Sequence, residues 1–305
     1  MKSHLRPTCC AICGTEGNAH ELYPANFDDQ AFTAEVFSAR RLPDLVHYRI
    51  VRCNHCRLVR SDPVVDQEIL AKLYLQSDLT YARDIPNLRR TYGKYLHKLE
   101  KYKTQKECFL EIGCGNGFLL EEARSQGYKK VLGVEPSKSA VEQAAPALRD
   151  FIYNDIMRPG LLSQRVDSIG MFQVFDHIPN PNEFLATCSE ALVPGGLILC
   201  FNHNIQAVSA RVLGERSPII DIEHTYLYSP ETIRKLFEKN GFRVLESGSA
   251  RNLVNLLSVL RLIPFRRSFK MKLLALAEKW PVLGQISMSL PLGNLYLIAQ
   301  KVSFP

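Results

Sequence analysis

The chain lacks any run of 18 consecutive apolar residues, so no stretch of it reads as a membrane-spanning helix. Its first residues, Met-Lys-Ser-His-Leu-Arg-Pro, carry none of the apolar core of a secretory signal, and a cytoplasmic location is the expectation. Nine cysteines make an odd count, which with the missing signal argues against a disulfide framework. Internal repeats and low-complexity segments are absent as well, which excludes solenoid and fibrous classes.

What is present is an ordinary globular composition, 46% hydrophobic and 23% charged over 305 residues, enough for one large domain and a small one. The net charge of +7 is unevenly placed. Residues 243–305 hold nine Lys or Arg against two acids, and the remainder is balanced. A solvated basic face is the plain reading; a surface for anionic substrates or lipid headgroups is the sharper one.

The most informative stretch is Leu110-Glu111-Ile112-Gly113-Cys114-Gly115-Asn116-Gly117, an apolar strand ending in an acid and followed by glycine at every second position. Phe118 to Ala123 then has helical character. A strand, a glycine turn and a helix N-terminus form a socket for a nucleotide, because backbone without Cβ atoms lets a ligand approach closely. A dinucleotide fingerprint would place its third glycine one residue later than Gly117, where this chain has Phe118, which weakens a nicotinamide reading.

The turn resembles motif I of the class I S-adenosylmethionine-dependent methyltransferases, acid-x-G-x-G-x-G, and the resemblance continues downstream. Val131 to Glu135 reads as a second buried strand ending in an acid, Tyr153-Asn154-Asp155-Ile156 resembles the end of the third strand, Asp167 to Phe175 the fourth strand, and Val193-Pro194-Gly195-Gly196 the turn before the fifth. The resemblance implies an α/β, Rossmann-like sheet of seven strands, the last inserted antiparallel. It also implies a cofactor held by Glu111, Gly113, Cys114, Gly115, Gly117, Glu135, Pro136, Asp155, Ile156, Gln173 and Phe175. Glu135 would accept hydrogen bonds from the ribose hydroxyls and Asp155 would sit near the adenine. Tyr81 would cover the cofactor from the N-terminal side.

A second site is expected near the N-terminus. Cys10-x-x-Cys13-Gly14 and Cys53-x-x-Cys56 each resemble half of a zinc ribbon, and four thiolates from two such knuckles complete a closed tetrahedral site. A closed site is structural, and it would hold together a module whose apolar core is thin. Cys9 is the awkward neighbour of Cys10. Cys108, Cys114, Cys188 and Cys200 are isolated within the α/β pattern and read as core packing.

Along the chain, residues 1–62 are expected as the zinc-binding module and 63–107 as a helical cover. The methyltransferase domain follows over 108–305. Helices are expected from Asp66 or Gln67, from Leu88 to Tyr102 after an interruption at Pro86, and over 117–126, 138–148 and 182–192. Strands are expected over 108–112, 131–135, 151–153, 166–174 and 196–202, and the alternation predicts a parallel sheet. Ser229-Pro230-Glu231 opens a further helix that stops at Asn240-Gly241, then strands 242–247 and 294–302 follow. Between them, 250–293 is expected as a helical insertion, from Leu253 to Ile263 and from Met271 to Trp280. It is either a lid or dimer contact, the favoured reading, or a peripheral membrane contact through 253–280.

His177, after the fourth strand in Asp176-His177-Ile178-Pro179, and His224, in Glu223-His224-Thr225-Tyr226, are the candidate catalytic bases, since histidine titrates near neutral pH. Asp176 and Tyr226 are weaker candidates. The resemblance extends to bacterial methyltransferases that pair this core with a four-cysteine module and serve sugar, glycan or secondary-metabolite pathways. A small-molecule or glycan-precursor acceptor is therefore expected, with O-methylation slightly preferred over C- or N-methylation. The nucleotide-sugar C-methyltransferases carry a large extra C-terminal domain that the residues after the sixth strand do not match, so C-methylation of a nucleotide sugar is not expected. An RNA methyltransferase is the enzyme rival, disfavoured because residues 1–62 are not strongly basic, and no DNA partner is expected. The non-enzyme rival is a cofactor-binding module without turnover.

Overall fold

The computed structural model describes residues 5–27, 45–77, 84–102, 105–255 and 287–302. In chain order the elements are β1 (Leu5–Arg6), β2 (Ala19–Tyr23), β3 (Ile50–Cys53), β4 (Val59–Ser61), β5 (Val64–Val65), α1 (Gln67–Leu75), α2 (Ile85–His97), β6 (Cys108–Ile112), α3 (Phe118–Ser125), β7 (Lys130–Val134), α4 (Lys138–Glu142), α5 (Pro146–Arg149), β8 (Ile152–Tyr153), β9 (Val166–Phe172), α6 (Pro181–Ala191), β10 (Leu192–His203), α7 (Val208–Leu213), β11 (Tyr226–Leu227), α8 (Pro230–Lys239), β12 (Phe242–Asn255) and β13 (Ser287–Lys301).

The central sheet has seven strands in the order β12-β13-β10-β9-β6-β7-β8. It is parallel from β10 to β8, while β13 runs antiparallel to both β10 and β12. The strands β6 and β10 are apolar on both faces, as a sheet covered on both sides requires. Cys108, Leu110, Ile112, Ile198 and Cys200 pack with Phe184 and Leu185 of α6 and with Ile233, Leu236 and Phe237 of α8. Phe109, Leu197, Leu199 and Phe201 face the other way, onto Tyr92, Tyr95 and Leu96 of α2 and Leu119, Leu120 and Ala123 of α3. The chain leaves β6 toward β7 on one side and returns through β9 on the other. The C-terminal ends of β6 and β9 thus form the switch point at which open α/β sheets bind ligands.

Several boundaries differ from the pattern-based expectation. Pro86 does not interrupt a helix. It occupies the first turn of α2, where its missing N–H costs nothing. The helix expected over 138–148 is two short ones, because Pro146 cannot donate within the first and instead opens the second. The two C-terminal strands are much longer than 242–247 and 294–302. Their ladder runs out to Leu253 opposite Ser289 and Asn255 opposite Ser287, past bulges at Val244/Glu246 and Ala250/Asn252. Leu253–Asn255, expected as the start of a helix, is therefore strand. Side chains of α2 make this possible by accepting from the bulged backbone: the Tyr95 hydroxyl takes Arg251 N–H at 2.8 Å and Thr91 Oγ1 takes Leu253 N–H at 2.9 Å. The rest of the expected helices, up to Trp280, lies outside the described residues.

Glu246 ties the same edge to the end of α2. It accepts from Lys98 Nζ at 2.6 Å, from the Tyr102 hydroxyl at 3.1 Å and from the Tyr296 hydroxyl. Partial burial favours the neutral acid, but these three donors outweigh it and hold the carboxyl at about 2. A carboxyl depressed in the folded state contributes stability above its unfolded value, near 4.5, and loses it as pH falls toward 2. Glu246→Gln is expected to lower urea-unfolding stability by about 1–2 kcal/mol at pH 7, after allowing for solvent screening. That deficit should close between about pH 4.5 and pH 2; a deficit independent of pH would contradict the ion-pair account.

Candidate functional site

At the end of β6 the chain turns through three left-handed glycines, Gly113 (φ 71°), Gly115 (φ 53°) and Gly117 (φ 74°), before α3 begins. A Cβ at Gly113 would lie 2.4 Å from Val174 Cγ2, so any other residue would displace Val174 as well as strain the left-handed backbone. Glu135, just beyond β7, faces this turn. One carboxylate oxygen accepts Gly115 N–H at 2.8 Å and the other accepts Ser137 N–H at 2.9 Å. Burial pushes its pKa up, and the two amides pull the other way. Asn154 clamps the same corner by donating to the carbonyls of Glu135 and Pro136, both at 2.9 Å. Ser137 Oγ donates to Ser77 O at 2.6 Å, which seats the end of the N-terminal helical segment beside the pocket.

Three buried polar atoms around this turn have no hydrogen-bond partner among the described residues: Glu111 Oε2, Asn116 Oδ1 and Gln173 Oε1. Glu111 is 2% exposed, and burial, with the neighbouring charge of Glu135, pushes its pKa well up. Buried polar groups are normally paired, so this trio leaves hydrogen-bonding capacity open around the glycine turn. Gln173 also holds a strained left-handed backbone (φ 58°), and its N–H is tied to Phe201 O at 2.7 Å. Cys114 is 1% exposed. Asp155 is anchored at the rim, accepting Arg158 at 2.8 Å and Ile156 N–H at 2.7 Å, while Ile156 leaves an apolar face exposed there. The ring of Phe175 turns away from this pocket: it is fully buried, stacked on Tyr228 at 5.2 Å and packed on Phe184 and Phe237. Tyr81 lies outside the described residues.

One turn further along the same loop, Asp176 is 1% exposed and surrounded by three imidazoles. His203 Nδ1 donates to Oδ2 at 2.7 Å, His177 Nε2 lies 3.6 Å from Oδ1, and His224 Nε2 lies 3.9 Å from Oδ2. Burial alone would raise the Asp176 carboxyl, but His224, His203 and His177 outweigh it and hold the group far below the usual carboxylate range. Burial pushes His177 down to about 4 and His224 down as well, against the pull of Asp176. Sequence reading brought forward His177 and His224 but missed His203 and Tyr74, whose hydroxyl meets His177 Nδ1 at 2.9 Å. Their one signal is position: His203 ends β10, beside the end of β9.

The four N-terminal cysteines also come together. The sulfurs of Cys10, Cys13, Cys53 and Cys56 all lie within 4.8 Å of one another, with Cys13 and Cys53 3.7 Å apart. Each knuckle closes with a left-handed residue, Gly14 (φ 73°) in one and Arg57 (φ 61°) in the other, whose N–H returns to the first cysteine's carbonyl. Four clustered soft donors fit Zn²⁺ as a structural ion. Cys9 is exposed and stands apart, whereas Cys108, Cys114, Cys188 and Cys200 are buried.

A protein-family model described as a methyltransferase domain matches residues 81–247. The chain belongs to this methyltransferase family. The glycine turn, Glu135 and the seven-stranded sheet all lie in or around the matched span. Among curated relatives, the ubiquinone biosynthesis O-methyltransferase of Caulobacter sp. (strain K31) is 32% identical over 114 residues, 34% of this chain. The match spans 45% of the length of that relative. The enzyme of the same name from Coxiella burnetii (strain RSA 493 / Nine Mile phase I) is 26% identical over 205 residues, covering 61% of this methyltransferase and 86% of its own chain. Among solved structures, the complex between the Haloferax volcanii Trm112 methyltransferase activator and the putative methyltransferase aligns with a TM-score of 0.51 at 19% identity. It covers 73% of this chain and 95% of that one, a likeness of fold.

Two outcomes check this site. Glu135→Ala should weaken S-adenosylmethionine binding by about 1–3 kcal/mol in calorimetry, since it removes a buried acceptor that also fixes the glycine turn. Unchanged affinity would remove Glu135 from the pocket. Elemental analysis after metal-replete expression should find zinc bound by the four cysteines in wild type, and Cys53→Ser with Cys56→Ser should lose it; zinc retained by that double variant would contradict the assignment.

Proposed function

We propose that this methyltransferase moves a methyl group onto an oxygen of a small-molecule acceptor, a class that includes glycan precursors. The cofactor would lie across Glu111, Gly113, Cys114, Gly115, Gly117, Glu135, Pro136, Asp155, Ile156 and Gln173, and the acceptor would lie against Asp176, His177, His203 and His224. The observation that carries the reading is the adjacency of two unsatisfied polar groups on one short loop. Gln173 Oε1 belongs to the cofactor side and Asp176 Oδ1, three residues on, to the acceptor side. The names of the Caulobacter and Coxiella relatives, both O-methyltransferases, support an oxygen acceptor.

S-adenosylmethionine supplies an electrophilic methyl group on a sulfonium leaving group, so the chain has chiefly to position the acceptor, exclude water and deal with a hydroxyl proton. The first two tasks fall to the loop after β9 and the loop before β11. Gly113 packs on Val174, and Thr225 N–H donates to Asp176 O at 2.9 Å, so the two loops and the glycine turn are fixed to one another. The proton falls to the Asp176 cluster. His224 Nδ1 lies 2.8 Å from Ile219 O, and that bond assigns the N–H to Nδ1 and leaves the lone pair of Nε2 directed at the cluster. The zinc module, with Zn²⁺ as a structural ion on its four cysteines, braces this arrangement through β4 and β11.

The test is His224→Ala. Turnover with an accepted hydroxyl compound should fall by about 10²–10⁴-fold, while calorimetry should find cofactor affinity unchanged. Full turnover in His224→Ala would place the acceptor elsewhere, and lost cofactor binding would show that the loop serves the other pocket.

A further inference from the structure

We infer that Asp176, His177 and His224 form a binding site for a divalent first-row transition-metal ion, separate from the four-cysteine site; the inference rests on the acceptor pocket proposed above. One carboxylate oxygen and the two imidazole nitrogens lie within 4.8 Å of one another. Two histidines and one carboxylate are a donor set that borderline divalent metals favour, and only three protein ligands leave positions open for an acceptor.

The distances separate this arrangement from a plain hydrogen-bonded cluster. His203 shows what a hydrogen bond to Asp176 looks like here, at 2.7 Å. His177 Nε2 and His224 Nε2 stop at 3.6 Å and 3.9 Å, too far to donate to the same carboxylate. Two bonds of about 2.1 Å to one ion at a tetrahedral angle place their donors about 3.4 Å apart, so a small inward movement completes the coordination.

The outer groups agree. His224 Nδ1 is tied to Ile219 O at 2.8 Å and His177 Nδ1 to the Tyr74 hydroxyl at 2.9 Å, so both rings are held from behind and present Nε2 inward. His203 holds the carboxylate by Oδ2. Metal-binding histidines and carboxylates are oriented by such outer partners. Asp176 itself is 1% exposed, and Oδ1 has no hydrogen-bond partner among the described residues. A buried carboxylate whose Oδ1 faces His177 Nε2 at 3.6 Å and whose Oδ2 lies 3.9 Å from His224 Nε2 offers a cation an anionic oxygen between two imidazoles.

Cobalt(II) titration of the zinc-loaded full chain tests this without any acceptor. Wild type should take up one further equivalent, with weak visible bands of nitrogen and oxygen coordination and no thiolate charge-transfer absorption. His177→Ala and His224→Ala should each lose that equivalent while keeping their zinc, which also reports that they remain folded. No further equivalent in wild type, thiolate absorption alone, or an equivalent retained by both variants would overturn the inference. Its failure with normal cofactor binding and methyl transfer would leave the proposed function standing, whereas loss of methyl transfer to every hydroxyl compound would count against that function instead.

Discussion

A side chain at Gly113 would collide with Val174, and most of the site follows from that close approach. The backbone there is left-handed and close to the Val174 side chain, so the glycine turn and the loop that carries Asp176 are built against each other. A substitution would have to displace Val174 on the facing loop. Glu135 completes the corner from the next strand by taking one N–H from the turn and one from its own loop. Backbone of this kind, with its amides already spoken for by a buried carboxylate, is fixed before any ligand arrives, which lowers the ordering cost of binding.

The N-terminal module is joined to this centre rather than set beside it. Its four-stranded sheet, in the order β11-β4-β3-β2, borrows β11 from a point 165 residues downstream of β4, immediately after His224. Ser61 makes the connection, with its hydroxyl donating to His224 O at 2.7 Å and its N–H to Thr225 O at 2.9 Å. The first knuckle is seated on the large sheet's helices, where Ala11 O accepts from Asn182 at 3.0 Å and from Lys239 at 2.9 Å. A Zn²⁺ ion on the four cysteines would thereby also fix the strand that follows His224.

The glycine turn, the acid in β6 and the one after β7, the two cysteine knuckles and the strand–helix alternation were legible in the sequence because each is local: spacing within about ten residues carries the chemistry. Ser229 and Pro230 announced α8 for the same reason, and the capping box with Thr232 is there. What was not legible depends on distant pairing. His203 reaches Asp176 only because β10 lies beside β9, and Tyr74 reaches His177 from a helix a hundred residues away. Phe175 reads as a pocket residue in sequence, but the tight turn over Phe175–His177 sends its ring into the core. The long β12–β13 ladder escaped notice because its outer half is stabilised by Thr91 and Tyr95 on α2, not by a pattern within the strands.

The central claim is that the corner between Gly115 and Glu135 holds the nucleoside of S-adenosylmethionine. A crystal of the full chain grown with S-adenosylhomocysteine tests it most directly. The account predicts the ribose on the Glu135 carboxylate and the remaining polar contacts on Glu111, Asn116 and Gln173. A nucleoside bound elsewhere, or a corner left unoccupied at saturating ligand, would contradict it.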